Sequence, residues 1–248
     1  LRASSEWNSA NRGGSDRESS ITEARDMTVV FEDMVIEEFL GAGDCNIVYG
    51  VSLPDWVYEE YQYLDEENDF VVKFSTNIDC SEAEIRSFTR LNADKEAARQ
   101  NHVLPMVLAA SGVPNPFYCS DEAQNCDISS QLPSSSPGNV LDELADAPVI
   151  SFIILPLVKE RYAAAVLIGM DDIRLFLQSL LQQLAYAHSV GGMHADLSLD
   201  RNIYVDQQGR AVLFDFNGAL EVGDTVYDED CNFAIAPPEA WLQSHNLS

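Results

Sequence analysis

The stretch that most restricts this chain is residues 180–219. The preceding segment, 171–190, has a helical period that puts Ile173, Phe176, Leu177, Leu180, Leu181, Leu184 and Ala187 on one face. Gly191 and Gly192 stop that helix. A polar loop follows, carrying His194, Asp196 and Asn202, and then two short apolar runs, 203–205 and 211–214. Asp206-Gln207-Gln208-Gly209 between the runs predicts a hairpin turn. A loop after a long helix, followed by a hairpin, brings Asn202 and Asp215 to neighbouring strand ends.

Upstream the pattern changes to strands. Runs 28–31, 35–40 and 47–53 read as strands, with Gly41-Ala42-Gly43 interrupting them. An acidic, Tyr-rich connection (54–69) leads to a buried strand at 70–74. Ser81-Glu82-Ala83-Glu84 fits a capping box opening a helix with Ile85, Phe88 and Leu91 on one face. Strands are expected again at 103–110 and 149–158. The order implies an α+β fold, a small sheet-rich unit with one helix joined to a helical unit.

Residues 1–26 are rich in Ser, Arg, Asn, Gly and Glu and read as a disordered leader. Residues 114–148 hold six acidic residues and no Lys or Arg, and are expected to be a solvated insertion. The formal charge of −27 argues against binding nucleic acid or an anionic membrane. No apolar run approaches the ~20 residues of a membrane span. The five cysteines, Cys45, Cys80, Cys119, Cys126 and Cys231, lack regular spacing, which favours reduced thiols and a cytoplasmic location. Leu1 rather than Met opens the chain, which fits a fragment.

Phosphoryl transfer needs a carboxylate facing the incoming hydroxyl, oxygen ligands for magnesium, and a lysine on the nucleotide phosphates. Asp196 suits the first task, and Asn202 with Asp215 the second. Only three lysines occur, and Lys73 is the one set in an apolar strand.

With these residues in view, the chain resembles the eukaryotic protein kinases from about Met27 to Trp241. His194-Ala195-Asp196-Leu197 is similar to their His-Arg-Asp-Leu catalytic loop, and Asp215-Phe216-Asn217 to Asp-Phe-Gly. Ala236-Pro237-Pro238-Glu239 resembles the Ala-Pro-Glu that closes the activation segment. Residues 40–48 resemble the glycine-rich loop, and Val71-Val72-Lys73 the strand bearing the ATP lysine.

The resemblance implies a two-lobe kinase-like domain over 27–248. Its N-lobe would cover about 27–155, with the insertion at 114–148, and a partial C-lobe about 159–248. It implies ATP and Mg2+ as ligands and a protein hydroxyl, Ser or Thr, as acceptor. Asp196 would orient the hydroxyl, Lys73 the phosphates, and Asn202 and Asp215 the magnesium. Glu84 would pair with Lys73, with Glu82 as the substitute; the same Glu84 also fits a simple helix cap. ATP would be lined by Leu40, Gly41, Gly43, Val48, Val71, Leu155, Leu157, Val158 and Tyr204. Residues 155–158 are equally consistent with an ordinary buried strand. His194 reads as a structural histidine.

The sequence also departs from that pattern. Ala195 replaces an arginine, Asn217 replaces a glycine, and Asn46 replaces the third glycine of the nucleotide loop. The loop from Asp196 to Asn202 is one residue longer than usual, and Ser198 stands near a lysine position. The large-lobe helices that the resemblance implies after Glu239 do not fit in residues 240–248, so a partial C-lobe is expected. These features keep open a pseudokinase serving as a nucleotide-binding or interaction scaffold. A third reading, a small-molecule kinase of the aminoglycoside or choline type, shares the His-x-Asp and Asn pattern, but Ala236-Pro237-Pro238-Glu239 favours the protein-kinase branch.

Overall fold

The computed structural model describes residues 33–43, 45–60, 69–119, 131–158, 161–162, 169–198 and 202–221. The leader, strand 28–31, Lys159 and the Ala236–Glu239 motif lie outside them. The described residues from Val35 onward belong to one compact unit.

The fold is α+β. Five strands make an antiparallel sheet in the order β1-β2-β3-β5-β4. They are β1 (Val35–Ala42), β2 (Ile47–Ser52), β3 (Phe70–Ser75), β4 (Leu108–Pro114) and β5 (Val149–Pro156). Strand alternation divides their side chains between two faces. Register places Val48 opposite Lys73, Lys73 opposite Ile153, and Val71 opposite Leu155, so these five share one face. Tyr49, Phe70, Val72, Phe74, Phe152 and Ile154 occupy the other.

That second face is covered by more than a solvated loop. The connection 54–69 contains a short helix, α1 (Asp55–Glu60), whose Tyr58 ring meets Phe70 edge-on at 5.3 Å. Segment 114–148 does join β4 to β5. Contrary to the solvated-insertion expectation, it buries Phe117, Leu132, Val140 and Leu144. Phe117 packs edge-on against Phe74 at 5.5 Å. Buried Asn115 donates to the carbonyls of Leu144 and Ala147, pinning both ends of the segment. Its acidic residues conceal an amphipathic helix, which carries the buried Val140 and Leu144.

The first face is covered by α2 (Ile78–Leu91), which starts three residues before the expected capping box. Asn77 is the cap, and its side chain accepts from the Cys80 amide. Glu84 is therefore an interior residue of the helix and not its cap. A short helix, α3 (Lys95–Gln100), follows, then irregular chain through 103–107 where a strand was expected. Helix α4 (Gly138–Asp146) lies within the β4–β5 connection.

Helix α5 (Met170–Ser189) matches the long periodic segment, but its buried residues are Phe176, Ser179, Gln183 and Ala187. Leu177 and Leu181 are exposed. Ser179 and Gln183 are buried because they serve the hairpin of β8 (Ile203–Val205) and β9 (Ala211–Leu213). Ser179 accepts from Ala211 N, and Gln183 accepts from Leu213 N while donating to the Ala211 carbonyl. Polar residues on the buried face thus satisfy an edge that apolar ones would strand. Three short strands complete the set: β6 (Arg161–Tyr162) pairs with β8, and β7 (Gly192–Met193) with β10 (Leu220–Glu221). Among the described residues no helix is long and apolar enough to cross a membrane.

Two cysteines, Cys45 and Cys80, are joined in a disulfide, and Cys119 is also disulfide-bonded. The expectation of reduced thiols fails for these three. Cys45 and Cys80 lie 35 residues apart, on a hairpin tip and a helix start, so sequence spacing gave no hint of their contact.

Candidate functional site

Strand β3 presents Lys73 toward α2, and Glu84 comes from the second turn of that helix. Glu84 is fully buried, and its two carboxylate oxygens lie 2.6 and 2.8 Å from Lys73 Nζ. Glu82 instead reaches Arg86 at 3.4 Å on the exposed side. Lys73 also donates to Asp215 Oδ1 at 3.2 Å. One ammonium thus joins the sheet, the helix and the end of the β8–β9 hairpin.

Burial alone would lower the Lys73 pKa, but the carboxylates of Glu84 and Asp215 outweigh it and hold the lysine above its ordinary value. Burial pushes Glu84 up while the lysine and the Phe216 backbone pull against it. The close two-pronged contact identifies the ionised pair as the state the site holds. Asp215 is the exposed member, with 36% of its side chain open.

The second half of the site is the loop before the hairpin. Ile203 pairs with Leu213, and the Phe214 amide donates to the Asn202 carbonyl. Asn202 and Asp215 therefore sit at the same end of the hairpin. The Asn202 amide nitrogen donates both to the Asp196 carbonyl and to Asp196 Oδ2, each at 2.8 Å. This fixes the Asp196 carboxylate through the Asn202 amide nitrogen, and among the described residues no hydrogen bond engages Asn202 Oδ1.

Aromatic packing locks these parts together. Phe216 meets Phe88 of α2 edge-on at 5.2 Å and His194 at 4.5 Å. His194 is buried, and its Nε2 lies 2.9 Å from the Phe214 carbonyl, which accepts its proton. Burial pushes its pKa below the ordinary value, so a neutral, structural imidazole fits. Helix α2 is also tied to α5: Arg90 donates to the Gly191 carbonyl and Tyr186 to the Leu91 carbonyl.

Three non-glycine residues among those described have positive φ: His102, Ala195 and Asp215. Two of them flank this site, both at φ 62°. Left-handed backbone at Ala and Asp costs about 1–2 kcal/mol each, and such strain gathers where geometry matters.

The residues expected to line a nucleotide fall into two groups. Val48, Val71 and Leu155 share the Lys73 face, with Leu157 packed against the same core. Gly41 pairs with Val48, and among the described residues, chain neighbours aside, no heavy atom lies within 4 Å of a Cβ at Gly41 or Gly43. Val158 is half-buried. Leu40 falls at a register shift in β1 and is 42% exposed. Tyr204 stacks its ring on Phe214 at 4.1 Å. The Cys45–Cys80 bond beside the glycine turn, and the Ser179 and Gln183 supports, were not anticipated. No protein-family model matches this chain, and no curated protein matches it.

Proposed function

We propose that this chain is a divergent member of the protein kinase-like group with the two-lobe arrangement, and that it transfers the γ-phosphate of ATP to a protein hydroxyl, Ser or Thr. The observation that carries this reading is the double bridge from Lys73, to Glu84 on α2 and to Asp215 at the hairpin end. Sequence-distant residues of the types phosphoryl transfer requires converge there.

The donor set fits the expected ligands. Magnesium prefers oxygen donors, and Asn202 Oδ1 and the partly exposed Asp215 carboxylate would supply two of them. No cluster of three or more His, Cys, Asp or Glu occurs among the described residues, and an Asn–Asp pair needs none. Bound magnesium would neutralise charge between the phosphates. Lys73 would hold phosphate oxygens, its direction fixed by Glu84. Asp196, steadied by Asn202, would accept the proton of the incoming hydroxyl.

The alternative, a nucleotide-binding scaffold without transfer, is supported by Ala195 and the lengthened 196–202 loop. The test is labelled phosphate transfer by wild type and Asp196→Asn. Transfer by wild type, reduced about 100-fold or more in the variant with ATP affinity kept, supports the enzyme. Nucleotide binding with no transfer by wild type overturns the enzyme in favour of the scaffold.

A further inference from the structure

Cys45 lies at the tip of the β1–β2 hairpin. The tip closes where the Gly43 amide donates to the Asn46 carbonyl at 2.9 Å, just beyond the Ala42–Ile47 pair. Cys80 lies in the first turn of α2, one helical turn before Glu84 and on the same side of the helix. Their disulfide, with Cα atoms 6.1 Å apart, ties the hairpin tip to the helix that holds Lys73. Three residues beyond Cys45, Val48 stands directly opposite Lys73. Among the described residues, apart from chain neighbours, none comes within 4 Å of a Cβ at Gly41 or Gly43. Both cysteines are half-buried, within reach of a small thiol.

We propose that Cys45–Cys80 is a redox clamp on the Lys73 site: the disulfide holds the hairpin tip down on α2, and its reduction frees the tip to lift and admit a nucleotide triphosphate. This rests on the nucleotide reading above for the identity of what enters, but the clamp itself concerns only the hairpin and helix. A dithiol reductant would open it. One reductant thiolate attacks a cysteine sulfur and releases the other cysteine as a thiolate; the second reductant thiol then displaces the first protein sulfur. The protein gains two electrons and two protons as two thiols, and the reductant leaves as its cyclic disulfide. Glutathione disulfide runs the change in reverse, yielding two molecules of glutathione.

The effect on binding follows from population. If the oxidised protein has its tip raised a tenth of the time or less, its apparent affinity falls about tenfold or more relative to the reduced form. Cys119 is also disulfide-bonded, so reduction alone does not isolate the clamp, and single-site variants are required.

The experiment compares the full chain oxidised, reduced with dithiothreitol, and as Cys80→Ser and Cys45→Ser. Non-reducing peptide mapping should recover a Cys45–Cys80 crosslink from the oxidised protein. Amide exchange over residues 41–50 should quicken several-fold on reduction, and should already be quick in both variants without reductant. Magnesium-ATP titration should show about tenfold tighter binding in the reduced protein and in the variants. Absence of the crosslink, or exchange indifferent to reduction, overturns the clamp. Equal affinity in the two redox states, or tighter binding when oxidised, overturns its control of entry. Quickened exchange with no nucleotide bound in any form keeps the clamp and overturns the nucleotide reading instead.

Discussion

Lys73 stands between two carboxylates, one sealed from water and one open to it, and the asymmetry decides what each contributes. Glu84 has no exposure, so removing its cation leaves a buried charge unpaired. Breaking a buried pair from one side costs about 3–5 kcal/mol, whereas replacing both partners by apolar groups is often neutral. Lys73→Met should therefore lower the unfolding free energy by about that amount in urea titration. Lys73→Met with Glu84→Leu should recover most of the loss. A single variant as stable as wild type would show that the pair is not closed off from solvent.

At the scale of elements, the segment between β4 and β5 shows where composition misleads. Its charge and its Pro and Ser content suggested a solvated excursion, yet Leu144 is fully buried. Large-to-small changes in a packed core cost about 2–5 kcal/mol. Leu144→Ala should thus lower the thermal midpoint by several degrees, while Ser135→Ala in the same segment leaves it unchanged. Equal, negligible effects would return the segment to the status of a loop.

The same contrast explains what was legible in the sequence. Helix α5, the β8–β9 hairpin and β3 were readable because period and turn residues act locally. The start of α2 was misplaced because Asn77 caps it ahead of a second pattern that looks like a cap. Ser179 and Gln183 broke the apolar stripe for a reason visible only once β9 lies against them. Lys73, Glu84, Asp196, Asn202 and Asp215 could be named from motif order. The disulfide, which depends on the hairpin tip meeting α2, could not.

For the molecule as a whole, one ammonium and one aromatic ring hold three separate pieces of chain in register. Phe216 touches both α2 and the His194 loop, and Lys73 links the sheet, α2 and the hairpin end. A ligand that binds this arrangement and not the unfolded chain stabilises it, by about 2.7 kcal/mol at a hundred times its dissociation constant. The most direct measurement is calorimetric titration of the reduced chain with magnesium-ATP, with Asp215→Ala alongside. A nucleotide site at Lys73 and Asp215 requires saturable heat from wild type, at least about tenfold weaker binding by Asp215→Ala, and heat that depends on magnesium. No heat from a folded wild-type protein at millimolar nucleotide, or binding indifferent to Asp215 and to magnesium, would contradict it.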